Sequence, residues 1–558
     1  MKRLCKILIF SFIASAFLLA TGCKDFHDVD SERLLFDEEY QMKSPTDTLY
    51  SMVGIFSQLQ KISQNYVLLG ELRGDLLDVT GSSNQYLKEI NNFEISENNP
   101  YVNNIKDYYS IINNCNYVIH NIDTAYVSKG QKVMYKTFAA AKAIRAWTYM
   151  QIALNYGKAK YYTNPIVTMA DANKSYPEYS ITELADLLIE DLLPWKDIRN
   201  PQIGSIGSNT DTRYSYFPIR FLLGDLYLWK GDYLNAANEY RDLMYNGSYI
   251  ISPDFNDRAK IANNVLDSWE SFKWTDIFAR SSSENITSIA VSTQYGVKFD
   301  LDSLNYKHMF KPSAAAINNW LSQQYYPHAA WNTTFRKYLS ANYGVTSDSL
   351  TDIRMLSSYN DTYSLSTRIS TASPSSYFIN KFSYMDFQYD DYTKNVLIYR
   401  SALLYLRYAE AVNRLGKPNL AFAVLRFGLT NSNISSSKVV PKWEKPTPLP
   451  NYMNFTDVRF DRNIGIRSRG LGPVNQDSSY VIPSKSSLSD SVLYVEDLIQ
   501  KELALETAFE GNRFQDLMRF AYRRNDPAYL ADKVAAKYTQ NKAAIRSKLM
   551  NTANWFIK

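Results

Sequence analysis

Between residues 220 and 240 the chain spells out a helix–turn–helix unit, and that unit limits the fold more than any other stretch. Leu223-Gly224 stands ahead of Tyr227, Gly231-Asp232-Tyr233 makes a turn, and Ala236 and Tyr240 follow. Gly224 and Ala236 take side-chain bulk away where two helices would touch. A turn this short forces the helices antiparallel. One such pair cannot bury its apolar face alone and needs stacked neighbours. Helical periodicity supplies them. In 101–123 the residues Ile105, Tyr108, Ile112, Cys115, Ile119 and Ile122 recur at helical spacing. A second helix is predicted over about 134–156, where Ala139 to Ala141, Ala143 and Ala146 permit close approach.

The 220–240 spacing is that of a tetratricopeptide unit. A weaker copy runs over 398–426, with Ile398 to Leu415 as one helix, a break at Gly416-Lys417-Pro418, and Leu420 to Arg426 as the next. The 137–157 and 181–193 segments read as degenerate copies. The copies are not contiguous, so a regular solenoid is excluded. The predicted fold is predominantly α: a tetratricopeptide-like helical-repeat scaffold (about 100–250, 396–428 and 494–525) interrupted by large, irregular, loop-rich insertions (about 250–395 and 430–490). The insertions are rich in Ser, Asn, Asp, Tyr and Pro, with short strands predicted at 286–292 and 377–384. Irregular segments of this length inside a compact protein are usually functional. Their density of Tyr, Trp and Phe argues against disorder.

The amino terminus has the parts of a secretory signal: Lys2, Arg3 and Lys6, an apolar run from Ile7 to Ala20, then Thr21-Gly22. The run is too short to span a bilayer. Cys23 follows at once, and the junction resembles the lipobox of bacterial lipoproteins, with Ala20 where that class prefers Leu. The resemblance implies a signal peptide over 1–22, lipid attachment at Cys23, and a tether over 23–45 ahead of a single domain over 46–558. Of the three cysteines, Cys5 would leave with the signal and Cys23 would carry lipid, so Cys115 has no disulfide partner. Removing Lys2, Arg3 and Lys6 from the 61 basic residues leaves 58 against 56 acidic ones. That balance argues against nucleic acid as a partner.

Catalytic and metal chemistry find little support. Glu502, Glu506 and Glu510 follow at helical spacing and invite comparison with a glycosidase carboxylate pair. With Gly511 and Arg513 next to them, they read better as an ion-pair cluster. The four histidines, His27, His120, His308 and His328, have no second ligand at metal spacing. Calcium is not signalled, and no nucleotide fingerprint appears, so no cofactor is expected. The 44 tyrosines suit surfaces that are apolar on one side and wet on the other, although most are expected to pack between helices. Rings that stack on sugar faces are sought in the irregular regions. The candidates are Tyr86, Trp320, Tyr325, Tyr326 and Trp331, with a second set around Tyr389, Asp390, Asp391 and Tyr392. The alternative for Trp320 is that it closes the Ala314–Trp320 helix against the core.

Several segments in order resemble the SusD/RagB family. They are the lipobox, Glu71-Leu72-Arg73-Gly74-Asp75, Asn113-Asn114-Cys115-Asn116, Arg145-Ala146 with Tyr156-Gly157, the 220–240 repeat, Trp274-Thr275-Asp276-Ile277-Phe278, Arg407 to Asn413, Glu506 to Leu517, and Asn554-Trp555-Phe556. The resemblance implies a non-catalytic, surface-exposed lipoprotein of an outer membrane. Such a protein captures an oligosaccharide or a peptide and passes it to a SusC-like TonB-dependent transporter. Ligand would bind on the insertions, opposite the repeats, and Asp78 would lie near that face and accept from ligand hydroxyls. Two other classes compete: a surface glycoside hydrolase, and a repeat scaffold that binds protein only.

Overall fold

The computed structural model describes Met42 and residues 44–558, apart from 202–203, 207–209, 254–257, 263–264, 271–276, 278–281, 293–300, 324–351, 353, 360–378, 385–392 and 472–478. Its main helices are α1 (Pro45–Glu71), α2 (Gln85–Asn92), α3 (Ile105–Asn121), α4 (Tyr135–Tyr156), α5 (Ile181–Leu192), α6 (Ile219–Lys230), α7 (Tyr233–Gly247), α8 (Ala314–Leu321), α9 (Ser401–Arg414), α10 (Pro418–Arg426), α11 (Leu488–Glu506) and α12 (Arg513–Arg524). Four strands matter for the site: β1 (Leu77–Val79), β2 (Asn285–Ser292), β3 (Phe310–Pro312) and β4 (Thr393–Arg400). The fold is predominantly α, as the periodicity predicts. No helix among the described residues is long and apolar enough to cross a membrane.

The separated repeats form one stack. Successive helices pack in the order α3, α4, α5, α6, α7 and α9, and α10 and α11 lie against α9. α1 touches α3, α4, α12 and β2. It starts on a capping box, with Asp47 N–H donating to Ser44 Oγ at 3.3 Å and Ser44 N–H to Asp47 Oδ2 at 3.0 Å. α4 is buried around most of its circumference, so its alanines serve close approach on several sides. On α3 the core-facing set is Tyr108, Ile111, Ile112, Cys115 and Val118, while Ile105 is exposed. The predicted stripe therefore turns slightly toward Ile111 and Val118. Many tyrosines pack the stack, among them Tyr66, Tyr108, Tyr149, Tyr240, Tyr399 and Tyr408, all buried.

The diagnostic unit folds as its spacing demands. α6 ends on Gly231 at φ +85°, and Asp232 caps α7 by accepting from Asn235 N–H at 3.2 Å. A Cβ at Gly224 would collide with the ring of Tyr240, whose hydroxyl donates to Asp225 Oδ1 at 2.6 Å. The ring is thus pinned and cannot step aside. Gly224→Ala is expected to cost about 1–3 kcal/mol by overpacking, read as a lowered urea midpoint.

Two local expectations are corrected. Ile398 to Arg400 do not begin a helix. They end β4, which pairs antiparallel with β2 and passes straight into α9 at Ser401. The Val396-Leu397-Ile398-Tyr399 run suits a strand, and pairing wins over helix propensity. The 286–292 strand is present within β2, whereas the described part of 377–384 contains the short helix Asn380–Tyr384.

Buried charge fastens the insertions to the scaffold. α11 stops at Glu506, and Phe509, at φ +69°, turns the chain so that Glu510 rejoins the cluster. Glu506 accepts from Arg354 Nη1 at 2.9 Å, Arg400 Nη1 at 2.9 Å and Arg469 Nη1 at 2.7 Å. Glu502 accepts from Arg354 at 2.6 Å, and Glu510 from Lys381 and Arg400 at 2.7 Å each. All seven side chains are buried. The three arginines hold the Glu506 carboxyl far below its ordinary range despite burial, so the ion-pair reading of these glutamates holds.

The other acidic set belongs largely to the frame as well. Glu71 accepts from Phe509 N–H at 3.0 Å and Gly511 N–H at 2.8 Å. Asp75 is bidentate with Arg513, at 2.5 and 2.7 Å. Arg73 lies over the Phe514 ring, 4.6 Å from its centroid. The Glu71–Asp75 segment is thus the partner of the Glu510–Phe514 segment, and only Asp78 stays partly open.

Candidate functional site

The described part of the predicted ligand face centres on the β1–β3 pair. Its register sets Asp78 opposite Lys311 and Val79 opposite Phe310. Alternation along a strand turns Asp78 away from the side that buries Leu77. Asp78 Oδ2 lies 3.4 Å from Lys311 Nζ, with the aspartate 17% and the lysine 38% exposed, a wet pair that a ligand can reach. Asp78 Oδ1 accepts from Val79 N–H at 2.8 Å and from Asn91 Nδ2 at 3.4 Å.

The turn after β1 is tied down. Thr80 Oγ1 donates to the His308 carbonyl at 2.6 Å and Ser83 Oγ to the Met309 carbonyl at 2.5 Å. Asn84 caps α2 by accepting from Leu87 N–H at 3.0 Å. Tyr86 follows in the first turn of α2, half-buried, so one side of its ring packs on the core. Behind the edge, the buried Lys537 ammonium donates to the Leu72 carbonyl at 2.6 Å and to Asn91 Oδ1 at 2.8 Å. Burial pushes that amine down to about 8. The edge therefore offers a carboxylate, an amine, small hydroxyls and one tyrosine ring on a fixed backbone. These are groups for binding hydroxyls, and among the described residues no second carboxylate pairs with Asp78 for acid–base work.

Sequence reasoning named Asp78 and Tyr86, and both lie on this edge. It missed Lys311 and Asn91, which reach Asp78 from segments with no motif of their own. Trp320 is corrected. Its side chain is fully buried on α8, with ring centroids 5.8 Å from Tyr359 and 6.0 Å from Phe509, so it packs the core and offers no face to a ligand. Cys23, Tyr325, Tyr326, Trp331 and Tyr389 lie outside the described residues. Among the described residues no group of three His, Cys, Asp or Glu side chains could hold a metal ion.

The architecture has relatives. The structure superimposes on a SusD homolog from Bacteroides thetaiotaomicron with a TM-score of 0.58 at 16% identity, covering 90% of this chain and 89% of that one. The chain has the SusD-like fold. A surface glycan-binding protein A from Bacteroides fluxus shares that fold at 15% identity and TM-score 0.54, over 89% of this chain and 94% of the other. So does a SusD-like carbohydrate-binding protein from Bacteroides fragilis, at 14% identity and TM-score 0.55, over 87% and 88%. In sequence, a SusD-like protein P25 from Formosa agariphila is 26% identical over 161 residues, which span 26% of this chain and 29% of that relative. No family profile matches the chain. The SusD-like fold accounts for the noncontiguous repeats: helices from both ends of the chain build one scaffold, and the insertions leave it on long connections.

Proposed function

We propose that this chain is a cell-surface lipoprotein that binds an oligomeric nutrient, a glycan, and delivers it to a SusC-like TonB-dependent transporter in the outer membrane. The SusD-like fold over nearly the whole chain, shared with proteins described as glycan- and carbohydrate-binding, carries the reading. The Asp78–Tyr86 edge supports it, because a carboxylate, an amine and a ring held on a rigid turn match a sugar's hydroxyls and its apolar face. The Gly22-Cys23 junction supports lipid anchoring after loss of residues 1–22. Acylation by more than one chain gives stable attachment. The polar 23–45 segment would be the tether, and residues 46–558 one ligand-binding domain. The protein is read as a binder rather than a catalyst. A hydrolase built on Glu502, Glu506 and Glu510 would need free carboxylates in a cleft, and these are ion-paired and buried.

Calorimetry and affinity electrophoresis of the protein lacking residues 1–23, against a glycan panel and a peptide panel, test the reading. Binding to a glycan without its hydrolysis is expected. Asp78→Ala and Tyr86→Ala should each weaken it by about 1–3 kcal/mol, with the melting temperature little changed. Binding only to peptides would transfer the same role to a different nutrient. Hydrolysis, or no soluble ligand at all, would overturn it.

A further inference from the structure

Lys537 is buried behind the strand that carries Asp78. It follows the helix Pro527–Ala535, and its backbone N–H donates to the Val534 carbonyl at 3.3 Å. Its ammonium meets three acceptors: the Leu72 carbonyl at 2.6 Å, the Leu77 carbonyl at 3.3 Å and Asn91 Oδ1 at 2.8 Å. An ammonium has three N–H donors and no acceptor, so these contacts use all of it. Two consequences reach the ligand edge. The Leu77 carbonyl belongs to the residue before Asp78, so β1 is held from behind. Asn91, itself buried, must turn its oxygen toward Lys537. Its Nδ2 then faces Asp78 Oδ1 and Asn92 Oδ1, each at 3.4 Å. The Asn91 main chain is fixed too, because the Tyr538 hydroxyl donates to its carbonyl.

The arrangement depends on a proton. A neutral amine keeps two donors and gains a lone pair, which would face one of the three oxygens. Asn91 is the group able to respond. Its amide can turn over, offer Nδ2 to the amine and bring Oδ1 against the Asp78 carboxylate, where two oxygens repel. Burial pushes the Lys537 amine down to about 8, against the pull of the Asp78, Asp75 and Glu71 carboxylates. The cations facing those carboxylates are Arg513 and Lys533 at Asp75 and Lys311 at Asp78. Glu71 is held by the Phe509 and Gly511 N–H groups. On α2, Lys88 donates to the Gly81 carbonyl at 3.4 Å, and Glu89 accepts from Ser96 and Asn99. Burial raises the Tyr538 hydroxyl well above its ordinary range, so it stays protonated.

We propose that Lys537 is a positioning residue of the ligand edge: its ammonium fixes the Asn91 amide, and that amide holds Asp78 where ligand hydroxyls reach it. This rests on the reading of Asp78 as a ligand contact and adds a pH dependence to it. Binding through Asp78 weakens as the amine loses its proton above about 8. That loss is not unfolding. The folded protein gives up this proton at about 8 and the unfolded chain near 10.5, so the group adds stability as pH rises across that window.

Crystal structures of the protein lacking residues 1–23, as parent and as Lys537→Met, test the relay without a ligand. Lys537→Met should release the Asn91 amide and turn the Asp78 carboxylate away from it, with β1 still paired to β3. Losing the ammonium leaves buried carbonyls unpaired and can unfold the chain. Asn91→Ala is therefore the second variant: it keeps Lys537 and should displace Asp78 in the same way. An Asp78 carboxylate in its parent position in either folded variant would overturn the proposal. Calorimetry with maltohexaose, cellohexaose and xylohexaose then reads the pH profile. Binding that Asp78→Ala abolishes should be about tenfold weaker at about pH 9.5 than at about pH 7, and in Asn91→Ala it should be weak at both. The two readings fail separately. Binding that needs Asp78 but ignores pH over this range removes only the relay. Displacement of Asp78 in the variants, with no oligosaccharide bound, keeps the relay and removes the glycan-capture role.

Discussion

Glu506→Ala is expected to destabilise the protein by about 3–5 kcal/mol, enough to prevent accumulation of a soluble folded product at physiological temperature. The carboxylate is the common acceptor of Arg354, Arg400 and Arg469, none of which reaches water. Removing it leaves three guanidiniums facing one another in a low-dielectric interior. Glu506→Gln keeps the volume and loses the charge, so it should fare little better. Urea denaturation of the purified variants measures the loss, and a change below ~1 kcal/mol would show that the cluster is not what fastens the insertions. The same carboxylates set the acid limit. Glu506, Glu510 and Glu410 are held below their ordinary value of 4.5, Glu410 at about 2. A depressed folded pKa gives stability that is complete above the unfolded value and lost as pH falls toward the folded one. Unfolding should therefore set in as pH drops from about 4.5 toward 2. Glu71 runs the other way. Burial raises it to about 7, so its share declines as pH rises from 4.5 to 7.

Trp320→Ala is expected to cost about 3–5 kcal/mol as well, by opening a cavity between α8, Tyr359 and Phe509. Trp320→Phe should cost clearly less. It fills most of the volume and removes an indole N–H that is buried without an acceptor among the described residues. The decisive comparison is ligand affinity, measured where the variant is still folded. Affinity should be unchanged, because the indole faces the core. Native stability with weakened binding would return Trp320 to the ligand face.

Trp320 also shows where reading the sequence stops. It stands at the end of α8, where the sequence turns into the polar, tyrosine-rich insertion, and that made it resemble a stacking platform. What buries it is Phe509, from the far end of the molecule, and no local pattern encodes that contact. Gly224 and Ala236 were legible because their partners lie within one helical pair. The Glu502–Glu510 cluster was legible in kind, since Arg513 and Gly511 stand beside it. Its actual partners, Arg354, Arg400 and Arg469, come from the first insertion, the end of β4 and the second insertion. Ile398 to Arg400 misled because an apolar run continuous with a helix fits either periodicity until β2 is known to pair with it. At the site, Asp78 was named and Lys311 was not: the two meet only through a strand register between distant segments, and a lysine in a polar loop looks like any other.

The Glu71 contacts to Phe509 and Gly511 bridge 438 and 440 residues. Long-range closures of this kind are slow and leave apolar surface waiting. Glu71, at the carboxyl end of α1, cannot find these backbone donors until nearly all of the polypeptide has been made. A chain that stops short of about residue 505 leaves Glu71 and Asp75 without their donors. The lock that stabilises the finished molecule is thus closed by almost the last part of the chain to be made.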